Sequence, residues 1–243
     1  MKNILITGGF GKIAQHFIKN NHQKYQITAA DISTQNNFYD ENVIVKNADL
    51  NNYNSCLELC KNIDTIIHLA GIVDPISESE DVLYTNIKTT QNIFKAAVAT
   101  NCKKIIFASS AQTIESYATD LQIRNNMMVK PKNIYGVSKC FGEALAAYHA
   151  YNNGITAICL RIGAYEFPED FTEMNARDLS AYLHPDDCNQ LLNKCINTDG
   201  LQYEIFNAIS NNLYKRLDLS ETISKLGYNP KADAFTLFKL LKE

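Results

Sequence analysis

No apolar run in the 243-residue sequence approaches the ~18 consecutive residues that a membrane-spanning helix needs. No block of lysine or arginine stands against the net charge of −3, so the electrostatic footprint of a nucleic-acid binder is missing. The seven cysteines include no C-x-x-C pair and are odd in number, which argues for reduced thiols in a cytoplasm. Cys56 and Cys60 share a helical face without a neighbouring His or Cys, so they read as small buried apolar residues, and no metal is expected. Met1-Lys2-Asn3 leads straight into Ile4-Leu5-Ile6, leaving no room for a signal peptide. Repeats, low-complexity tracts and Gly/Ser linkers are also missing, so residues 1–243 are expected to form one domain.

What is present is an ordinary core-forming composition, 46% apolar and 20% charged. Short β-branched runs alternate with longer helical patterns, the mark of a parallel sheet with crossover helices. Strands are predicted at Asn3–Thr7, Tyr25–Ala30, Val43–Lys46, Asp64–His68, Lys104–Ser109 and Ile155–Arg161. Helices are predicted between them at Lys12–Asn20, Tyr53–Asn62, Glu80–Thr100 and Ile134–Asn152. Beyond Arg161 the pieces shorten to a helix over Pro185–Asn197, a strand over Glu204–Ala208 and a helix over Ser220–Leu226.

The first strand runs into Thr7-Gly8-Gly9-Phe10-Gly11-Lys12-Ile13-Ala14. Glycines at a strand-to-helix turn permit a tight bend and close approach of a pyrophosphate, and the helix N-terminus offers N–H groups to its charge. Gly8, Phe10, Gly11, Lys12 and Ile13 are therefore candidate cofactor contacts. Asp31 ends the second strand roughly 20 residues later, where a carboxylate hydrogen-bonds an adenosine ribose and repels a 2′-phosphate, favouring NAD over NADP. Asp49 and Leu50 follow the third strand and are candidates for the adenine edge. Leu69, Ala70 and Gly71 follow the fourth, at the carboxyl edge where open α/β sheets bind ligands. His68, just before them, reads as a structural hydrogen-bonder. Together these features predict an α/β fold, a Rossmann-type doubly wound parallel sheet. Residues 1–161 would form the NAD-binding core, and 162–243 mainly a small C-terminal α/β substrate lobe.

Tyr135 and Lys139 stand four residues apart at the start of an alanine-rich helix, so phenol and ammonium share one face. An unperturbed tyrosine titrates near about 10, and a nearby cation favours the phenolate. Ser110, in Phe107-Ala108-Ser109-Ser110 at the end of the fifth strand, is placed to reach the same substrate oxygen. Asn86 lies mid-helix in Tyr84-Thr85-Asn86-Ile87-Lys88-Thr89, a mildly unfavourable position that calls for a reason.

With the glycine turn, these motifs resemble the extended short-chain dehydrogenase/reductase family, also called NAD-dependent epimerase/dehydratase, over nearly the whole chain. Within it, Phe107-Ala108-Ser109-Ser110, Tyr135-Gly136-Val137-Ser138-Lys139-Cys140-Phe141-Gly142-Glu143, Arg161-Ile162-Gly163 and Arg177 before His184-Pro185-Asp186-Asp187 are most similar to uronate dehydrogenases. The resemblance implies Tyr135 as general base, Ser110 as the group orienting the substrate oxygen, and Lys139 lowering the tyrosine pKa and holding the nicotinamide ribose. It implies Asn86 in a proton relay and as a cofactor contact, and Arg177 paired with an anionic substrate group. It also implies dimerisation through the Glu80–Thr100 and Ile134–Asn152 helices.

Four positions depart from the uronate dehydrogenase pattern: Val73 and Ala164 replace serines, and Ala111-Gln112 replaces Asn-His. Val73, Ala111, Gln112 and Ala164 thus make an altered substrate wall, and this points to a less hydroxylated or differently substituted sugar, because specificity rests on pairing buried polar groups. Ala111-Gln112 also lacks the Asp-Glu pair of the family's dehydratases. The expected activity is oxidation of a hydroxyl, the C1 hemiacetal first, of a sugar or sugar acid, with hydride passing to NAD. The alternatives are a sugar or nucleotide-sugar epimerase using transient hydride transfer and a non-catalytic NAD-binding regulator. The stretch Ala111 to Asn133 is long for a connection and is expected to close over substrate as a lid. His184-Pro185-Asp186-Asp187 reads as a helix start, with carboxylates meeting the helix dipole.

Overall fold

Strand β1 (Asn3–Thr7) enters the middle of a seven-stranded sheet and turns at once into helix α1 (Lys12–Asn21). The structure, a computed structural model, describes residues 1–33, 40–73, 80–171 and 175–240. After α1 the chain forms β2 (Gln26–Asp31), β3 (Ile44–Asn47), α2 (Tyr53–Cys60), β4 (Thr65–His68), α3 (Glu80–Ala99) and β5 (Lys104–Ser110). A 3₁₀ turn over Ala111–Ile114 precedes α4 (Ile134–Asn153) and β6 (Thr156–Ile162). Then follow β7 (Ala164–Tyr165), α5 (Ala176–Ser180), β8 (Tyr182–Leu183), α6 (Pro185–Asn197), β9 (Tyr203–Ala208), α7 (Ser220–Leu226) and α8 (Ala234–Leu237).

The order β3-β2-β1-β4-β5-β6-β9 is parallel throughout, and β7 pairs with β8 as a separate small parallel ribbon. Strand order reverses between β1 and β4, which creates the crevice where doubly wound sheets take ligands. The predicted α/β sheet is thus present. Part of the C-terminal segment returns to it, because β9 adds beside β6.

Burial on both faces explains why these strands read as apolar runs and not as alternations. Ile4 and Ile6 face one core with Phe17 of α1 and Leu191, Leu192 and Cys195 of α6. Leu5 faces the other core with Cys56 and Cys60 of α2, Phe94 of α3 and Ala146 of α4. Six cysteines are buried and Cys140 is half-buried, and all seven are free thiols, as small apolar residues would be. Helix α4 lies hard against β5: a Cβ at Gly142 would come within 2.1 Å of the Phe107 ring.

Helix α6 starts as the sequence suggests, with the His184 side chain accepting from Asp186 N, Pro185 in the first turn, and Asp186 and Asp187 near the dipole's positive end. Asp187 also accepts from Ser210 Oγ (2.6 Å), Lys231 N (2.7 Å) and Ala232 N (3.0 Å), tying the C-terminal segment down. The stretch from Ala111 to Asn133 is stitched in place. The Arg216 guanidinium donates to the carbonyls of Tyr117, Ala118 and Leu121, Ile123 N donates to Arg216 O at 2.9 Å, and the Ile123 side chain is wholly buried. This stretch, expected to close over substrate, is thus anchored along its length, and its first turn brings Gln112 to the ligand crevice.

Candidate active site

A cavity of about 880 Å³ follows the carboxyl edge of the sheet. It runs from Asp31 after β2 and Asp49 and Leu50 after β3, past Gly8, Gly11, Lys12 and Ile13 after β1, to Leu69, Ala70, Gly71 and Val73 after β4. It ends against Ser110, Gln112, Tyr135, Lys139 and Arg177. The sequence candidates thus come together along one continuous crevice. Four do not line it. Phe10 turns its backbone N–H to Asp31 Oδ2 (3.1 Å), Ala111 is packed in the core, Ala164 pairs in the β7–β8 ribbon, and Asn86 lies behind the wall.

The glycine turn has the shape a dinucleotide requires. Gly8 sits at φ +68°, and a Cβ there would lie 2.8 Å from Ala70 N, so neither the conformation nor the space admits a side chain. Gly11 N donates back to Gly8 O at 3.0 Å, and α1 begins with no side-chain cap, leaving its dipole facing the crevice. The Lys12 ammonium is paired with Glu166 (2.6 Å) and Asp170 (3.3 Å), which offsets positive charge near the turn. Asp31 keeps its carboxylate on the crevice wall, held by Phe10 N and by Ser33 N (3.4 Å).

At the other end, Tyr135 and Lys139 leave the first turns of α4. Asn133 caps that helix by accepting from Gly136 N at 2.7 Å and donates to Gln112 Oε1 at 2.8 Å, so the start of α4 is locked to the turn after Ser110. Ser110, Tyr135 and Lys139 line the same end of the crevice, with Lys139 Nζ 5.5 Å from the Tyr135 ring centre. Burial nevertheless pushes the Tyr135 phenol up to about 12, with the Ser110 hydroxyl acting in the other direction. Burial pulls Lys139 down to about 8, and its Nζ donates to Ala108 O at 2.8 Å. Desolvation disfavours the charged form of both groups, so each departs from its ordinary value toward neutrality.

Asn86 is buried with its amide engaged. Its Oδ1 accepts from Ile72 N (2.7 Å), and its Nδ2 donates to Ile72 O (3.0 Å) and Ser138 Oγ (3.1 Å). Ser138 Oγ donates to Tyr135 O at 2.7 Å. Asn86 thus couples the turn after β4 to the tyrosine's backbone, which supplies the reason its mid-helix position called for. His68 lies between the hydroxyls of Thr7 (2.7 Å) and Thr90 (3.2 Å), and burial lowers it to about 3, so it is neutral and structural as expected.

Sequence reasoning missed the support beneath this wall. Arg161 of β6 makes a two-armed pair with Glu143 of α4, Nε to Oε1 and Nη2 to Oε2 at 2.9 Å each, and Ser109 Oγ donates to the same Oε1 at 2.7 Å. A signal existed: Glu143 is four residues past Lys139 on the same helix face, and Arg161 interrupts an apolar strand, where a charge requires a partner. Tyr165 also lines the cavity, with its hydroxyl buried and unpartnered. Arg177 reaches the crevice already paired with Glu115 and Asp178, and no sequence pattern announced Glu115. Among the described residues, no group of three His, Cys, Asp or Glu side chains is arranged to hold a metal.

The family model described as NAD dependent epimerase/dehydratase matches residues 4–185. The chain belongs to this family. Among its relatives, the uronate dehydrogenase of Pseudomonas putida is 31% identical, covering 95% of this chain and 83% of that protein. The L-arabinose 1-dehydrogenase (NAD(P)(+)) of Haloferax volcanii is 28% identical over 98% of this chain and 99% of its own. A structure of a tyrosine-to-alanine mutant of the Agrobacterium tumefaciens uronate dehydrogenase complexed with NAD superimposes with a TM-score of 0.90, at 28% identity, over 99% of this chain and 88% of that one. In this epimerase/dehydratase member, no described helix is long and apolar enough to cross a membrane.

Proposed function

We propose that the protein is an NAD-dependent oxidoreductase that oxidises a sugar hydroxyl, the C1 hemiacetal first. The observation that carries this reading is the convergence of Ser110, Tyr135 and Lys139 on the end of a crevice whose other end has the glycine turn, open helix terminus and Asp31 of a dinucleotide cradle. Dehydrogenase names among relatives that align over almost the whole chain support the same reading.

NAD, when bound, would supply the acceptor for the hydride leaving the carbinol carbon. Tyr135 takes the hydroxyl proton as general base, and Ser110 hydrogen-bonds the same oxygen and orients it. Lys139, fixed on Ala108 O, keeps its charge beside Tyr135 and presents its remaining N–H groups to a ribose. Asp31 would accept from the adenosine ribose, and Asp49 and Leu50 would border the adenine. The Asn86 amide holds the Ile72 backbone and, through Ser138, the turn that carries Tyr135.

Residues 162–243 act mainly as the substrate lobe, since Gly163, Tyr165 and Arg177 close the substrate end. We assign the active form to a cytoplasmic homodimer joined through α3 and α4, where Tyr84, Val137, Tyr148 and Tyr151 are exposed. The activity is tested by incubating the protein with NAD and a panel of free sugars, uronates and nucleotide sugars. Accumulating NADH is the expected result, and product formation without NADH would replace this reading with epimerisation.

A further inference from the structure

Arg177 is the arginine on the crevice wall among the described residues, and its fork is already occupied. A guanidinium has five N–H groups. Nε donates to Glu115 Oε1 (3.0 Å) and Oε2 (3.2 Å), Nη2 to Glu115 Oε2 (2.6 Å), and Nη1 to Asp178 Oδ1 (2.7 Å). Three of the five are thus engaged, and two carboxylates face one cation.

Neither carboxylate is loosely held. Glu115 closes the 3₁₀ turn that begins at Ser110, and the next residue is pinned by Ser116 N to Lys130 O (2.9 Å) and Ser116 Oγ to Pro131 O (3.1 Å). Asp178 is held by Asn175 Nδ2 at 2.6 Å. Glu115, Arg177, Asp178 and Lys132 line an adjoining cavity of about 360 Å³, where the four charges balance. The other cations on the crevice wall are engaged as well, Lys139 with Ala108 O and Lys12 with Glu166 and Asp170.

A sugar carboxylate arriving here has two choices. It displaces Glu115 from a two-point bond formed within the chain, or it becomes a third anion around one guanidinium. A neutral sugar meets neither obstacle, because the two N–H groups left on Arg177 suit a hydroxyl or ring oxygen. Resting on the oxidoreductase reading above, we infer that Glu115 selects neutral aldoses over uronates by taking the Nε–Nη2 edge of Arg177 and offsetting its charge at the crevice wall.

The test compares D-glucose with D-glucuronate and D-galactose with D-galacturonate, following NADH, in the parent protein and in Glu115→Gln, which keeps the shape and removes the charge. The parent is expected to favour each neutral sugar at least about tenfold in kcat/KM. Glu115→Gln is expected to narrow that ratio about tenfold or more, through a lower KM for the uronate. A second reading needs no turnover: at constant ionic strength, uronate should raise the thermal midpoint of NAD-saturated Glu115→Gln and not that of the parent. A parent that prefers uronates, or that uronate stabilises as much as the variant, overturns the inference. If no sugar yields NADH while the variant alone gains stability from uronate, the hydride-transfer reading fails and the assignment of Glu115 stands.

Discussion

Replacing Glu143 with alanine should be among the most damaging single changes to stability in the protein. Arg161 is 1% exposed and Glu143 3% exposed, so their ion pair is out of water. Glu143→Ala removes the partners of Nε and Nη2 and leaves the guanidinium only its bond from Nη1 to Asn125 O at 3.2 Å. Breaking one side of a buried pair costs about 3–5 kcal/mol, because the remaining charge is uncompensated. The Ser109 hydroxyl also loses its acceptor, adding about 1 kcal/mol. For a chain of this size, a total of about 4–6 kcal/mol corresponds to a fall in Tm of roughly 8–24 °C. Urea unfolding of the parent and variant at equal slope measures it. The control is the double change Glu143→Met with Arg161→Met, which removes both charges and should recover most of the loss, since buried pairs replaced by apolar residues are often neutral. A single-variant loss below about 1 kcal/mol, or a double variant as unstable as the single, would refute the reasoning.

Three further outcomes follow from the same geometry. Asp31→Ala removes the carboxylate facing a 2′-phosphate and should narrow the preference for NAD over NADP by roughly tenfold, about 1.4 kcal/mol, in titrations of both nucleotides; an unchanged ratio would remove Asp31 from the ribose site. Burial sets Lys139 at about 8, below its value in the unfolded chain. Between those two values the unfolded state holds a proton that the native state lacks, so the lysine's contribution makes stability rise with pH across that window. Lys139→Met should flatten this rise when urea midpoints are compared across the window, and an unaltered slope would contradict the assignment. Gly142→Ala places a Cβ within 2.1 Å of the Phe107 ring and must push α4 off β5, costing about 1–3 kcal/mol by overpacking. Thermal denaturation indistinguishable from the parent would show that the helix shifts freely.

The parts of the fold legible in the sequence are those where local chemistry and global packing agree. The β1 run, the glycine turn and the Lys12 start of α1 are read from consecutive residues, and α6 and α7 have the bounds expected from caps and periodicity. The convergence of Ser110 with Tyr135 and Lys139 was also readable, since each lies at a strand end or first helical turn that parallel topology brings to one edge. The β7–β8 ribbon was not, because two-residue strands carry no periodicity. Glu115 was hidden for another reason: its partner Arg177 lies 62 positions away and is joined to it only by the folded loop. Spacing also left the desolvation of Tyr135 out of view. Four residues on a helix place a cation near a phenol, but they carry no information about desolvation, and desolvation is the larger effect here.

The central claim, that Tyr135 is the base for hydride-transfer chemistry in a dinucleotide crevice, is tested most directly by Tyr135→Phe. The substitution removes one hydroxyl and keeps the ring that packs beside Lys139. With the sugar that gives NADH in the parent, turnover should fall by roughly 10²–10⁴-fold, while calorimetric titration shows NAD binding preserved. Turnover retained at the parental level would contradict the account.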